Sequence, residues 1–490
     1  MRTGGEPPTR PTRDPAADPA TVENRARGNP AAEPPTVRAP LAEGRTVRGP
    51  HDEGRTREVR TEAIPVGPTR RMVTAVRGTF ADTTPLQTPA YRRLWVAGVV
   101  TTVGAQLSVV AVPTQIYAMT NSSGYVGLTG LFGLVPLIVF GLWGGAIADA
   151  VDRRTMLLVT GAGIAVTSLA LWVVAASGVG SVWVVLCLFS VQSAMLAMNQ
   201  PVRSAVIPRL LPAVQLPAAN ALNMTVMQVG SIAGPLLAGV LIPVIGLGTL
   251  YLLDAIFLLA TLWATWKLPS IPPLDAEPGV RRKAGFREVV DGFRYVSTQK
   301  ILLVSFLVDL IAMGFGMPRV LFPELAETRF GDPPGGGFAL GLLFAAVPIG
   351  MVAAGVLSGW LQKVRRQGVA VTVAVCVWGL GVAFFGLTNS LWLAVLALAV
   401  AGAGDLVSSV YRNSMLQTVA TDEMRGRMQG VFLVVVAGGP RLADMWHGWA
   451  AEGVGAGAAA TIGGVAVVVV VIAVVFRFAA FWRYVGPRGG

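Results

Sequence analysis

From Leu94 to Phe476 the chain repeats one pattern, an apolar run followed by a short polar or basic break. Each run is near the roughly 20 residues that a helix needs to cross a bilayer's hydrocarbon core. Twelve such runs read as transmembrane helices, at about 94–118, 125–148, 155–176, 181–201, 222–243, 247–267, 301–322, 338–361, 369–387, 391–411, 428–449 and 457–476. Pro113, Pro136, Pro235, Pro318 and Pro348 fall inside them. Membrane helices tolerate this, because neighbouring helices and polar side chains re-satisfy the backbone groups that a proline frees.

The basic residues set the expected orientation. With the N-terminus inside and the spans alternating, the inside loops hold twenty-two Lys and Arg, and the outside loops hold Arg329 alone. Arg319 and Arg441 fall within spans. This asymmetry follows the positive-inside rule and requires an even number of spans, with both termini cytoplasmic in a cell membrane. The 268–300 loop between spans six and seven is the longest inside segment. It opens on Pro269, Pro272, Pro273 and Pro278 and then turns basic. Near its end Phe286, Val289, Val290 and Phe293 recur at helical spacing with charges between them, the pattern of an amphipathic interfacial helix. The expected layout is a first half at 91–267, a linker at 268–300, a second half at 301–478 and a short tail at 479–490. Two six-span halves suggest a chain built from similar repeats.

Residues 1–90 read differently. They carry 14 Arg against 11 Asp and Glu and few apolar clusters, so they cannot offset the entropy of folding. Two readings stay open: a disordered cytoplasmic tail, or sequence upstream of a start at Met72. The tail also dilutes the composition. Only 13% of the chain is charged, against about 25% in soluble proteins. The formal net charge of +12 divides into +3 from the tail (14 minus 11) and +9 from the rest, mainly the loops that set orientation. It is no signature of nucleic-acid binding. Two cysteines cannot build a disulfide framework. No phosphate-binding loop, Cys/His metal spacing or nucleophile elbow occurs, so neither an enzyme, nor an ATP-driven pump, nor a cofactor or metal site is expected.

Several stretches carry a resemblance. After span two comes Gly145-Ala-Ile-Ala-Asp149-Ala-Val-Asp152-Arg153-Arg154, and span five contains Gly230-Ser-Ile-Ala-Gly234-Pro235-Leu-Leu-Ala-Gly239. The first resembles the gating signature of the major facilitator superfamily, with Ala150 where a basic residue is usual and Asp152 where a glycine is usual. Asp152 with Arg153 is expected to substitute for part of the usual ion-pair lock. Gly355 to Arg366 looks like a degenerate second copy after span eight. The span-five stretch resembles the signature of the superfamily's antiporters, in which small residues permit close helix contact and proline bends the helix. The stretches 112–122, 201–212, 317–326 and 414–427 resemble the branch that contains siderophore (enterobactin) exporters, with macrolide-type multidrug efflux proteins as relatives. The resemblance spans about 90–480. It implies an all-α fold of twelve transmembrane helices in two halves, acting as a monomer in the bilayer, and proton-coupled export of a bulky amphipathic small molecule. A nutrient importer of the same fold is the alternative.

Ionisable residues inside a membrane are costly and usually functional. The candidates for proton coupling or substrate contact are Asp309, Asp254, Asp405, Arg319, Arg412, Arg441 and Asp444, with Asp309 foremost. Arg441 and Asp444, three residues apart on one helix, are expected to pair locally. His447 is expected to be simply hydrogen-bonded. Gln106, Gln115, Gln192, Asn199, Gln200, Asn223 and Gln228 face the cavity or join helices. Phe132, Trp143, Met195, Met198, Phe315 and Trp378 offer an adaptable surface to a large substrate.

Overall fold

The computed structural model describes residues 82–178, 180–272 and 294–486, without the side chains of 142–150, 422–423, 425–434 and 437. The expected tail up to residue 81 and the proposed amphipathic segment at 286–293 therefore lie outside the described residues, while the tail's end differs from expectation: Thr84–Gln87 form a 3-10 turn and the first long helix already begins at Pro89. Every regular element among the described residues is helical.

Twelve long helices form the bundle. They are α1 Pro89–Thr120, α2 Ser123–Ala150, α3 Arg153–Ser177, α4 Val182–Leu210, α5 Leu216–Ile245, α6 Leu247–Trp266, α7 Lys300–Gly316, α8 Phe338–Val356, α9 Gln367–Leu387, α10 Leu391–Val419, α11 Asp422–Val454 and α12 Ala456–Arg477. Eleven of these stretches are long and apolar enough to cross a membrane. The remaining helix, α11, is 33 residues long and packs along α2. Backbone groups have no water to bond in a bilayer, so helices that satisfy their own N–H and C=O groups are the form such runs must take. Their outer faces are apolar as well. Val356, Val244 and Phe476 are 81%, 76% and 82% exposed, as expected for side chains that meet lipid.

Most of the helices are longer than the apolar runs that announce them, because polar turns extend one or both ends. The seventh span is an exception. α7 stops at Gly316, and the chain passes through Pro318 into a 3-10 turn at Arg319–Leu321 and a short helix at Phe322–Thr328. The eighth is shorter than expected, since α8 ends at Val356 and continues as the 3-10 stretch Ser358–Lys363.

The packing pattern repeats six helices on. Within the first half α1 packs on α5 and α6, α2 on α4, and α3 on α4 and α6. Within the second, α7 packs on α11 and α12, α8 on α10, and α9 on α10 and α12. A local signature repeats too. Gly246, before α6, and Gly455, before α12, adopt nearly the same left-handed conformation, φ 78°, ψ 153° and φ 84°, ψ 152°. A side chain there would be strained, which is why both tight reversals use glycine.

The halves meet along α2–α11 and α5–α8. Both seams rest on facing glycines. A Cβ on Gly239 of α5 would sit 2.9 Å from the Cα of Gly341 on α8. A Cβ on Gly448 of α11 would sit 2.7 Å from the Cα of Gly127 on α2. Small residues let backbones approach, and without a hydrophobic drive between helices in lipid this close packing supplies the attraction. Both seams lie toward the end of the bundle opposite the linker, here termed the far end. The end that carries the linker and the Arg and Lys clusters is the basic end.

Candidate functional site

A cavity of about 70 Å³ lies between the halves. The first half contributes Ser108 and Val112 of α1, Thr129 of α2 and Phe189 of α4. The second contributes Arg319 of the 3-10 turn, Phe344 of α8, and Arg441 and Asp444 of α11. Asp444 stands ten residues before the end of α11, so the cavity is roughly 15 Å inside the far end, near mid-depth. Because α7 breaks at Pro318, the turn after it aims Arg319 across at α11. Arg319 Nε donates to Asp444 Oδ1 at 2.9 Å and Nη2 donates to Oδ2 at 2.6 Å. This bidentate pair corrects the expected Arg441–Asp444 pair: both Asp444 oxygens are taken by a residue 125 positions away. Arg441 instead lays its guanidinium 5.3 Å from the centre of the Phe189 ring and against Gly133.

The second half holds a charged cluster of its own. Asp309 of α7 forms an ion pair with Arg412 of α10, and both are almost fully buried. Asp405, two turns earlier on α10, lies 3.8 Å from Arg412 Nη2. Two carboxylates thus share one guanidinium. Asp309 is nine residues into α7 and Arg412 seven before the end of α10, which places the pair roughly 10–14 Å inside the basic end.

The first half holds a neutral-donor network. Asp254 of α6 is 2% exposed, and its Oδ2 accepts hydroxyls from Ser108 of α1 and Ser168 of α3, each at 2.8 Å. Gln192 of α4 donates to Ser168 at 2.9 Å. Asp254 Oδ1 lies against Gly104 and has no hydrogen-bond partner among the described residues. The chain Gln192–Ser168–Asp254–Ser108 ties four helices and ends on the central cavity. Other predicted polar residues also join helices: Tyr251 donates to Gln115 at 2.7 Å, and Asn199 donates to Thr160 at 2.7 Å.

At the far end the halves are latched. Ser123 donates to Glu324 at 2.5 Å, while Ser122 and the Gly124 amide donate to Glu452 at 2.5 and 2.9 Å. Two carboxylates of the second half thus meet the N-terminus of α2, where they complement its exposed amides and dipole. At the basic end Asp152 caps α3, accepting from the Thr155 amide at 3.0 Å. Its other oxygen accepts from the Ser270 hydroxyl at 2.5 Å and the Ile271 amide at 2.9 Å. Arg154 donates to the Trp266 carbonyl at 2.7 Å. Asp152 and Arg153 therefore form no lock with each other. They fasten the start of the linker to α3, Arg153 through its amide on the Ile271 carbonyl at 3.1 Å. Burial alone would raise the Asp152 pKa. The Ser270 hydroxyl and the amides of Thr155, Ile271 and Arg154 outweigh it and hold the carboxyl below its ordinary value.

Gly145 and Asp149 lie near the end of α2, and their side chains are outside those described. Gly230 and Gly234 receive Thr102 and Gln106 of α1, while Gly239 forms the seam with α8, so the span-five signature is a packing surface on two sides. Buried His447 contacts the Ala443 carbonyl through Nδ1 at 3.1 Å. Trp378 is a core residue whose indole donates to the Ala312 carbonyl at 3.2 Å. Phe132 packs near Trp183 and Phe315 against Trp446. Sequence reasoning passed over Ser108, Ser168, Phe189, Glu324 and Glu452. The available signal was a pair of carboxylates, Glu324 and Glu452, near the outer ends of spans seven and eleven, where the outside loops hold Arg329 as their single basic residue.

Two like halves of six helices around a shared polar cavity define a transporter fold. The nucleoside transporter NupG shares it, with a TM-score of 0.66 at 12% identity over 79% of this chain and all of that one. A D-xylose–proton symporter gives 0.60 at 12% identity over 81% and 98%. Over residues 80–481 the chain matches the transmembrane secretion effector family of the major facilitator superfamily, and it belongs to that family. It is 29% identical over 349 residues to the enterobactin exporter EntS of Citrobacter koseri (strain ATCC BAA-895 / CDC 4225-83 / SGSC4696), covering 70% of this chain and 81% of the relative. It is 28% identical over 345 residues to the EntS of Escherichia coli O81 (strain ED1a), with the same coverage. The chain is a multi-span helical membrane transporter of the major facilitator type.

Proposed function

We propose that this chain is a proton-coupled exporter of a siderophore or amphipathic drug-like compound, working by alternating access in a bacterial inner membrane with both termini in the cytoplasm. The cavity shared by both halves carries this reading. It lies at mid-depth, where a substrate site must be if either end can open to it. The glycine seams and the Glu324 and Glu452 latch hold the far end together, so opening that end requires parting the latch. The named activity of the relatives and the span-five antiporter signature support the outward direction. The basic end, with its Arg and Lys clusters, faces the cytoplasm.

Coupling is assigned to Asp309, Asp405 and Arg412. With both acids ionised the cluster carries one net negative charge inside the membrane, and one proton neutralises it. Gaining or losing that charge changes how strongly α7 and α10 are held together, which is what a coupling site must do. Everted vesicles test the reading with a fluorescent amphipathic dye and with purified enterobactin. Uptake driven by respiration and lost on adding a protonophore is expected. Uptake indifferent to the protonophore would overturn coupling, and accumulation by intact cells would make the chain an importer.

A further inference from the structure

Arg441 is a half-buried cation whose expected partner is occupied elsewhere. Both oxygens of Asp444 are held by Arg319. Arg441 forms no ion pair among the described residues, so the cavity carries one net positive charge from two guanidiniums and one carboxylate. A lone guanidinium at mid-depth in a membrane protein is costly unless an anion or a polar partner compensates it. The surroundings are arranged to hold the group rather than neutralise it. Gly133 leaves the space it occupies, since a Cβ there would come within 2.8 Å of its Cζ, and the Phe189 ring lies beside it. Thr129 and Ser108 add hydroxyl oxygens to the same cavity, and Phe344 adds a second ring.

We propose that Arg441 binds the anionic head of the substrate, a compact oxyanion such as a carboxylate or phenolate carried on an aromatic body. This names the substrate class of the cavity and rests on the reading of that cavity as the transport site. The guanidinium donates to the oxyanion oxygens in the geometry that planar anions favour. Phe189 and Phe344 take the ring. The bound anion cancels the net charge of the cavity, so a neutral analogue of the same shape leaves Arg441 uncompensated and binds less well.

The test is equilibrium binding to the detergent-purified full chain, read as the thermal stabilisation each ligand produces. The probes are 1-naphthoate and its neutral isostere 1-naphthamide. The wild-type chain is expected to bind naphthoate at least about tenfold more tightly than naphthamide, the scale of a charge-assisted hydrogen bond. Arg441→Gln should abolish the preference, and Arg441→Lys should keep part of it. Gly133→Ala serves as a second variant if Arg441→Gln does not fold, because its added methyl displaces the flexible guanidinium and should weaken naphthoate binding several-fold. Equal binding of the two probes, no binding of naphthoate, or a preference that survives both Arg441→Gln and Gly133→Ala would overturn the proposal. No gradient enters this experiment. A chain that prefers naphthoate yet fails to export in vesicles would sink the exporter reading and leave the anion site standing.

Discussion

The two halves share a helix layout and differ in what they bury. The first half buries Asp254 among hydroxyls, from Ser108 and Ser168, and it forms no ion pair among the described residues. The second buries Asp309 and Asp405 around Arg412. The contrast is local as well. Asp254 follows the cap glycine Gly246 by eight residues, and the equivalent place after Gly455 is Gly463, against which the His447 ring lies. A carboxylate among hydroxyls exchanges hydrogen bonds and works as glue between helices. A carboxylate against a guanidinium stores a large, direction-dependent energy that one proton can change. The repeat supplies the scaffold, and under the coupling proposed for Asp309, Asp405 and Arg412 its asymmetric decoration divides the labour: the first half would hold its shape and the second would change its charge.

The comparison breaks most readily at Arg412. Arg412→Met leaves two acids facing each other without a counter-charge, and removing one partner of a buried pair costs about 3–5 kcal/mol. A large drop in melting temperature or loss of the monodisperse peak on size-exclusion chromatography is expected. Combining Arg412→Met with Asp309→Asn and Asp405→Asn should recover most of the loss, because a buried ion cluster is replaceable by neutral groups when all its members go together. A single Arg412→Met that melts with the wild type would mean that charge does not hold the second half.

Transport separates the two acids more finely. Asp309→Asn keeps the shape of the side chain and removes its proton site, so protonophore-sensitive uptake in everted vesicles should fall by at least about tenfold. Asp254→Asn offers a carbonyl to Ser108 and Ser168 and an amide where Oδ1 stands without a partner. It should cost no more than about 1 kcal/mol of stability and keep most of the flux, the scale of a single neutral hydrogen bond. Reversed outcomes, a dead Asp254→Asn and an active Asp309→Asn, would assign coupling to the first half.

Hydropathy makes the twelve helices legible because a bilayer leaves an apolar run few other structures. The functional pairings are another matter. Asp309 and Arg412 are 103 positions apart and meet only because α7 packs on α10, which no local pattern encodes. The Arg441–Asp444 spacing is favourable on a helix, yet Arg319 prevails because the break at Pro318 presents its fork to both oxygens at once. A local pairing rule cannot see a competitor from another helix. The span-five glycines were readable as a packing surface, but their partners, Gln106 on α1 and Gly341 on α8, were not. Asp152 is the plainest case. Read beside two arginines it suggests a salt bridge, whereas its position just before α3 makes it a helix cap.

That cap yields the smallest expected effect, at the basic end, away from both polar centres. Asp152→Ala removes the acceptor for the Thr155 amide and frees Ser270 and Ile271, so it should cost about 1 kcal/mol, the usual loss for an N-cap. The acid dependence has a definite sign. The folded-state carboxyl titrates below its ordinary value, so its stabilisation is complete above the unfolded value near pH 4 and is lost as pH falls through the lower folded value. Thermal melting of wild type and Asp152→Ala across roughly pH 3 to 6 checks this. Their melting temperatures should differ most at the upper end and converge toward the lower. Curves that stay parallel would show that the linker is held by the Arg153 amide and the Arg154 side chain, with Asp152 contributing little.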